Sequence, residues 1–598
     1  MVRFRLLCAT AVVSIVGSSA MTWAQTPVNA TQHATTEDSR LRAIYTAEDA
    51  WRKAQRGAPD EDHPQKILAE LPSVDAATQQ ADLAHWQGVL RHVDALKPTA
   101  LSPDERVNYQ VFRAQLIGLI NDQTFREYER PANSDSTFWS DEEEVTRVPF
   151  KTEQDYVNYI AQLKDIPRYF RENIANMRAG LARGFTPPKV TLTGRDASLV
   201  PVADAASAES TVYFKPFAKM PASIPSDEQN KLRAEAAAAI QSSVIPAYAR
   251  LLTFFRDDYI PRAQTALAAE SLPDGKAYYQ SKILEFTTLT LTPDQIHTIG
   301  LSEMAKIHAE MLATMQESGF QGTLPEFLHF LRTDPQFYAK TPHELLMRAA
   351  FIAKEFDGVS SDYFGYLPRR RFGIKPVPAE IAPFYTSARG GPGVYLVNTY
   401  DLPARGLYSL PALTLHESAP GHAFQMPIQA EIVKARHLPK FRNAYISAYG
   451  EGWALYCERL GTEMGIYHTP YETFGMLSYQ AWRAARLVVD TGLHAQGWTR
   501  EEAQEYLREN AALSDHEIET EVDRYISWPG QALSYYLGEM AILKARHKAE
   551  AALGPKFNIR AFHDAVLELG CVPLPVLTEH IDEWIAKSGV GPYPDMER

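Results

Sequence analysis

Cysteine is nearly absent from this chain: there are three in 598 residues, and Cys8 falls in a stretch that reads as a leader. A disulfide-stapled fold is therefore excluded, and the most an oxidising compartment allows is one bridge, Cys457 to Cys571. Long apolar runs are missing as well. Leu6 to Gly17 is too short to span a bilayer, and no later stretch reaches about 18 uninterrupted apolar residues. Basic charge is scarce: the formal net charge is −13 and the only dense cationic run is Arg369-Arg370-Arg371, so nucleic acid is not an expected partner. There is no internal repeat, no dinucleotide-binding glycine pattern and no Gly-x-Ser-x-Gly elbow. Arg389-Gly390-Gly391-Pro392-Gly393 lacks the Lys-Ser/Thr that a phosphate loop requires.

What remains is the composition of a large exported protein, 45% hydrophobic and 22% charged. Arg3 and Arg5, the apolar run and the small residues up to Ala24 read as a signal peptide spanning residues 1–24. A polar, flexible segment follows over 25–37, and a single helical body of two lobes is expected over 38–598. Its location is periplasmic or secreted, with no membrane contact after leader cleavage. Helical periodicity or propensity marks stretches around 40–56, 77–96, 103–128, 153–183, 226–268, 293–317 and 343–355. About 185–225 the chain turns irregular, with β-prone pieces at Val190-Thr191-Leu192 and Thr211-Val212-Tyr213-Phe214, which suggests an insertion or lid. Phe372 to Pro378 and Val394 to Thr399 read as strands. The fold expected is mainly α with a small β-sheet. An exposed edge of that sheet could pair with an extended peptide, or the strands could simply pack a loop onto the helices.

The chemistry concentrates in His416-Glu417-Ser418-Ala419-Pro420-Gly421-His422 and in Glu451 of Tyr449-Gly450-Glu451-Gly452-Trp453. Two imidazoles and a carboxylate are metal ligands, and Glu417 beside the first imidazole is placed to take a proton from a metal-bound water. The usual helical zinc motif separates its histidines by four residues, about one turn. Here the separation is six, which on an unbroken helix would set the rings roughly 120° apart. Pro420 removes an amide hydrogen and Gly421 tolerates positive φ, so the pair predicts a break that could swing His422 back toward His416. Alternatively Pro-Gly ends a helix and the histidines are unrelated. The dipeptide by itself decides little, since His343-Glu344 begins the same way and has no second histidine. Glu451 precedes a helix burying Trp453, Tyr456 and Leu460; it is either a third ligand or a favourable anion in a first helical turn.

These strings, with Gly393-Val394-Tyr395-Leu396-Val397-Asn398-Thr399, Leu272-Pro273-Asp274-Gly275, Arg483 to His494 and Pro529 to Tyr535, resemble a bacterial family known as the "eight-eight-five" domain of unknown function. The resemblance spans most of the mature chain and is strongest from about residue 270. It implies a zincin-like, mostly helical, peptidase-related protein holding one Zn²⁺ per chain through His416, His422 and Glu451, with Glu417 as the catalytic carboxylate. Tyr479, Arg483, Arg486, Asp490 and His494 form one polar stripe on a predicted helix. Such a stripe is ordinarily a solvated face. With the resemblance, Arg483 or Arg486 becomes a candidate to hold a substrate carboxylate, and Asp490 or His494 to support it. Tyr535 and Tyr536 are candidate oxyanion donors, Tyr535 the favoured one, and Asn398 is a further candidate for substrate contact. The expected activity is metal-assisted cleavage of peptide bonds. The competing expectations are hydrolysis of a non-peptide amide or ester, and a non-catalytic exported binding protein in which the histidines fill the core.

Overall fold

Helices in this chain repeatedly begin with Ser or Thr followed three residues later by Asp, Glu or Gln, and the two side chains cap one another's backbone. Thr152/Asp155, Thr292/Gln295, Thr323/Glu326, Thr469/Glu472, Thr499/Glu502 and Ser514/Glu517 all do so. Each box satisfies two backbone donors that a helix end otherwise leaves bare. The computed structural model of the chain describes residues 36–60, 65–134, 136–379 and 381–593. The leader and most of the polar segment expected after it lie outside these residues. The protein is mainly α with one three-stranded sheet, and it divides into two compact units, one up to Gln264 and one from Thr265.

The first unit contains helices Thr36–Lys53, Ala76–Asp94, Pro103–Phe125 and Glu153–Arg183, close to the expected bounds. From Ser226 to Arg262 the helix is interrupted by wider turns at Ile240–Val244 and Phe255–Tyr259. Each precedes a proline, Pro246 or Pro261, whose missing N–H shifts the hydrogen-bond ladder. Residues 185–225 form short helical turns instead of strands. Val190 to Leu192 lie in a helical turn, Val212 to Phe214 in a 3₁₀ turn, and Leu192, Leu199, Val202, Tyr213 and Phe217 belong to the core. The physical reason is a set of tyrosines that both fill the core and hold this backbone: Tyr159 donates to the Tyr213 carbonyl at 3.1 Å and Tyr156 to that of Pro216 at 3.3 Å.

In the second unit, helices α1 (Pro293–Glu317) and α5 (Pro470–Ala495) pack along one another. Between them in sequence come α2 (Leu410–Glu417), α3 (His422–Ala435) and α4 (Ser447–Glu463). Helices α6 (Asp515–Ser527) and α7 (Ser534–Leu553) follow. α4 and α7 meet backbone to backbone, because a Cβ on Gly452 would lie 2.4 Å from the Gly538 carbonyl carbon. The sheet has the order β1-β3-β2, with β1 (Gly373–Pro376) parallel and β2 (Ala388–Gly391) antiparallel to the central β3 (Val394–Val397). β1 and β3 match the expected strands, whereas β2 occupies the Arg-Gly-Gly run that sequence marks only as a failed phosphate loop. Among the described residues Cys457 and Cys571 are buried free thiols, and no helix is long and apolar enough to cross a membrane.

Candidate metal centre

The two histidines stand on different helices. α2 ends at Glu417 and α3 begins at His422, so Ser418 to Gly421 form a connection instead of a bulge within one helix. Ser418 closes the end of α2 by donating its amide and hydroxyl to the Thr414 carbonyl at 2.8 and 2.6 Å. Gly421 donates to the Leu415 carbonyl at 3.0 Å, which folds the chain back on itself. The break does not use the positive φ that Gly421 would tolerate, since its φ is −71°. Glycine is needed there for space: a Cβ would sit 1.8 Å from the His416 carbonyl oxygen. The Pro420 carbonyl accepts from the Trp453 indole at 2.8 Å, tying the connection to α4, and the Ala419–Pro420 peptide is cis.

This turn sets the imidazole rings 4.9 Å apart and nearly perpendicular. Both Nε2 atoms lie 3.4 Å from the same oxygen, Glu451 Oε2, and one ligand atom from each residue falls within 4.8 Å of the others. Zinc held tetrahedrally at about 2.0 to 2.2 Å by N and O ligands separates them by roughly 3.3 to 3.6 Å. The two His–Glu edges have that length, so the donor set fits such an ion. Glu451 lies in the second turn of α4, not the first, and its other oxygen accepts from the Tyr445 hydroxyl at 2.7 Å.

The electrostatics favour protons held within the cluster. Burial alone would make the His416 ring harder to protonate, but its bonds to Glu451 and Glu458 push its pKa up to about 10. Burial would likewise raise the Glu451 carboxyl, yet the two histidines hold it well below the usual carboxylate range. A metal ion using the same electron pairs would have to displace that proton.

Glu417 sits against the edge strand. Its Oε2 accepts the Gly390 amide at 2.6 Å, while Oε1 hydrogen-bonds to none of the described residues. α2 and β2 touch so closely that a Cβ on Gly390 would lie 1.6 Å from the Glu417 carbonyl oxygen. Of the two tyrosines, Tyr535 faces the cluster, its ring 6.4 Å from that of His416 and inclined by 19°. Tyr535 also has the Arg486 guanidinium 4.3 Å above its ring, and its hydroxyl accepts from Arg524 at 3.3 Å. Tyr536 points instead to α1, where it donates to Glu303 at 3.1 Å.

The candidate substrate contacts are otherwise engaged. Asn398 is fully buried and spends its amide on the carbonyls of Ala382, Tyr385 and Thr386, so it holds a loop in place. Arg486, 1% exposed, is bonded to Glu521 at 2.7 Å and to the Tyr525 hydroxyl at 2.9 Å. Arg483 is buried 3.7 Å from Glu458. Asp490 accepts from Tyr279 and the Gly530 amide, and His494 bridges the Ala269 amide and the Tyr525 carbonyl. The polar stripe is thus no solvated face: all five members are buried, because α5 is surrounded by its own unit. A separate cavity of about 70 Å³, lined by Arg332, Arg405, Tyr408, Tyr479 and Glu517, touches none of the three candidate ligands.

Three residues at the centre escape a reading of motifs. Glu458 accepts from His416 Nδ1 at 2.7 Å, Tyr445 holds Glu451, and Gly390 holds Glu417. Glu458 had a signal, since seven residues after Glu451 is two turns along one helix face. Tyr445 and Gly390 had none.

Two solved structures share this fold. A crystal structure of a protein from Colwellia psychrerythraea, provisionally assigned as a lipoprotein, is 26% identical, with a TM-score of 0.83 over 93% of this chain and 100% of that one. A protein of unknown function from Shewanella oneidensis, also provisionally assigned as a lipoprotein, is 17% identical, with a TM-score of 0.68 over 91% of this chain and 99% of its own; at that identity it speaks for the fold alone. No protein of curated function matches the chain. Residues 52–581 match the family described as bacterial protein of unknown function (DUF885), and on that coverage the chain belongs to it.

Proposed function

We propose that this protein is an exported zinc-dependent hydrolase, a zincin-like metallopeptidase that cleaves peptide bonds by activating water. The observation that carries the reading is the shared approach of two imidazole nitrogens to one carboxylate oxygen, 3.4 Å each, next to a carboxylate with one uncommitted oxygen. Zinc held by His416, His422 and Glu451 would supply Lewis-acid polarisation of the scissile carbonyl and of the attacking water.

The chain's own groups then divide the work. Gly390 fixes one oxygen of Glu417, so the other takes the proton of the attacking water and returns it to the leaving nitrogen. Tyr535 donates its hydroxyl proton to the oxyanion as the carbonyl carbon becomes tetrahedral. The Arg524 guanidinium, donating to the same phenol oxygen, makes that hydroxyl a stronger donor.

A peptide is favoured over a small amide by the position of β2. The Asn398 amide bonds the Ser387 carbonyl at 2.9 Å, so by antiparallel alternation Arg389 and Gly391 face β3 while Gly390 faces outward. The outward carbonyl of Gly390 is a main-chain acceptor beside Glu417, suited to an extended backbone. Export to the periplasm or beyond rests on the leader-like residues 1–24 and on the lipoprotein assignment of the similar Colwellia psychrerythraea protein. The test is elemental analysis of the purified protein, then digestion of a peptide library and a panel of small amides before and after chelation. One zinc per chain and chelator-sensitive peptide cleavage are expected. His416→Ala should lose the zinc. Full metal content in that variant, or cleavage indifferent to chelation, would refute the reading.

A further inference from the structure

Behind the cluster, on the side of His416 away from Glu451, lies a second carboxylate bonded to the imidazole, with an arginine close by. We propose that Glu458 and Arg483 form a buried positioning pair that fixes the His416 ring and sets how tightly the cluster grips its metal, an inference that rests on the zinc reading above.

Glu458 stands two turns beyond Glu451 on α4, so one helix face presents both carboxylates to the same ring. Glu451 Oε2 is 3.4 Å from Nε2 and Glu458 Oε1 is 2.7 Å from Nδ1. A carboxylate can only accept, so Nδ1 carries a hydrogen toward Glu458, and once the ring gives up its second proton it is Nε2 that is left with a lone pair, on the side of Glu451 and His422. That tautomer is the one a metal ligand needs, and a carboxylate partner also raises the ring's basicity.

A carboxylate with 0% exposure is costly unless its charge is answered. Arg483 supplies the answer. Its Nη2 lies 3.7 Å from Glu458 Oε1, and its guanidinium rests 3.9 Å over the Trp482 ring and 4.5 Å from that of Tyr479. Its Nε and Nη1 hydrogen-bond to none of the described residues, and besides Glu458 its charge also reaches the buried Glu539 carboxyl. His422 has no such support: its Nδ1 is buried and bonds to none of the described residues. The two imidazoles are therefore held unequally, with His416 as the anchored ligand.

Glu458→Gln keeps an accepting oxygen and loses the charge, whereas Glu458→Leu loses both. Zinc affinity of the otherwise intact protein, read by competition with a chromogenic chelator, should weaken about tenfold for Gln and up to about 100-fold for Leu. Arg483→Met should weaken it less, and adding it to Glu458→Gln should cost nothing further, because the arginine acts through the carboxylate. The visible spectrum of the cobalt(II)-loaded protein should shift for Leu, a change that general destabilisation does not produce. Urea midpoints of the metal-free proteins check folding; if the Leu variant does not fold, Gln and Arg483→Met carry the test. Unchanged zinc affinity and cobalt spectrum in folded variants of a zinc-binding parent would overturn the positioning pair and leave the zinc reading standing. A parent that takes up neither metal overturns both.

Discussion

The dipeptide His-Glu occurs three times in the second unit, at 343–344, 416–417 and 516–517, and the first two do different things. At His343-Glu344 it opens the helix Pro342–Tyr363. There Glu344 accepts the Lys340 amide at 2.8 Å and the Arg348 guanidinium at 3.0 Å, its own amide donates to Thr341, and His343 is exposed. The carboxylate is consumed by the bare amides of a helix start. At His416-Glu417 the pair closes a helix, and residues far away in sequence converge on it: Glu451 and Glu458 on the imidazole, Gly390 on the carboxylate. Identical local chemistry becomes a cap in one place and a candidate metal centre in the other. What differs is which partners the fold delivers.

The strongest way to break this comparison is to neutralise each glutamate in turn. Glu417→Gln should keep its zinc and slow peptide cleavage by about 10² to 10⁴, the range for general acid–base help. Glu344→Gln should leave turnover and metal content untouched; measured kcat and zinc per chain decide. Next comes the turn that separates the two cases. Gly421→Ala places a carbon 1.8 Å from the His416 carbonyl, so the ligands must move apart. A misplacement of an ångström costs about 100-fold in turnover, which steady-state kinetics would show together with reduced zinc occupancy.

A buried carboxyl near the centre gives a smaller effect through pH. Burial pushes Glu539 from 4.5 up to about 8, and one of its oxygens bonds to none of the described residues. A carboxyl raised in this way favours the folded protein fully below its unfolded pKa, and the advantage is lost as pH rises through about 8. Urea midpoints of the parent should fall between pH 4.5 and 8, and Glu539→Gln should flatten that segment. The smallest expected change is at the helix start, where Glu344→Gln should lower the thermal midpoint only slightly by calorimetry.

Much of the helical frame could be read from the chain because its causes are local. Thr152, Thr292, Thr469 and their partners announce helix starts within four residues. β2 could not be read, since Arg-Gly-Gly has little strand preference and is held straight by β3 on one side and Glu417 on the other. The stripe from Tyr479 to His494 misleads for a related reason: its period is that of a solvated face, but partners such as Glu458, Glu521 and Tyr279 answer its polar groups. Tyr535 stacks toward His416 while Tyr536 turns to Glu303, and adjacent residues on a helix give sequence no means of knowing which faces the cluster.

The residues alone decided that this chain is mainly helical and that Pro420 and Gly421 interrupt a helix; they left open whether the two imidazoles and two carboxylates meet. Capping, propensity and backbone sterics act over a few residues, so they are written in the order of the chain. Only the tertiary structure decided that the break turns through lack of room for a side chain and not through positive φ. It also decided that Glu451, Glu458 and Gly390 reach the His-Glu pair from two directions, and that the arginines stand behind the site. Those outcomes depend on which distant surfaces pack together, a property of the whole folded unit that no short stretch encodes.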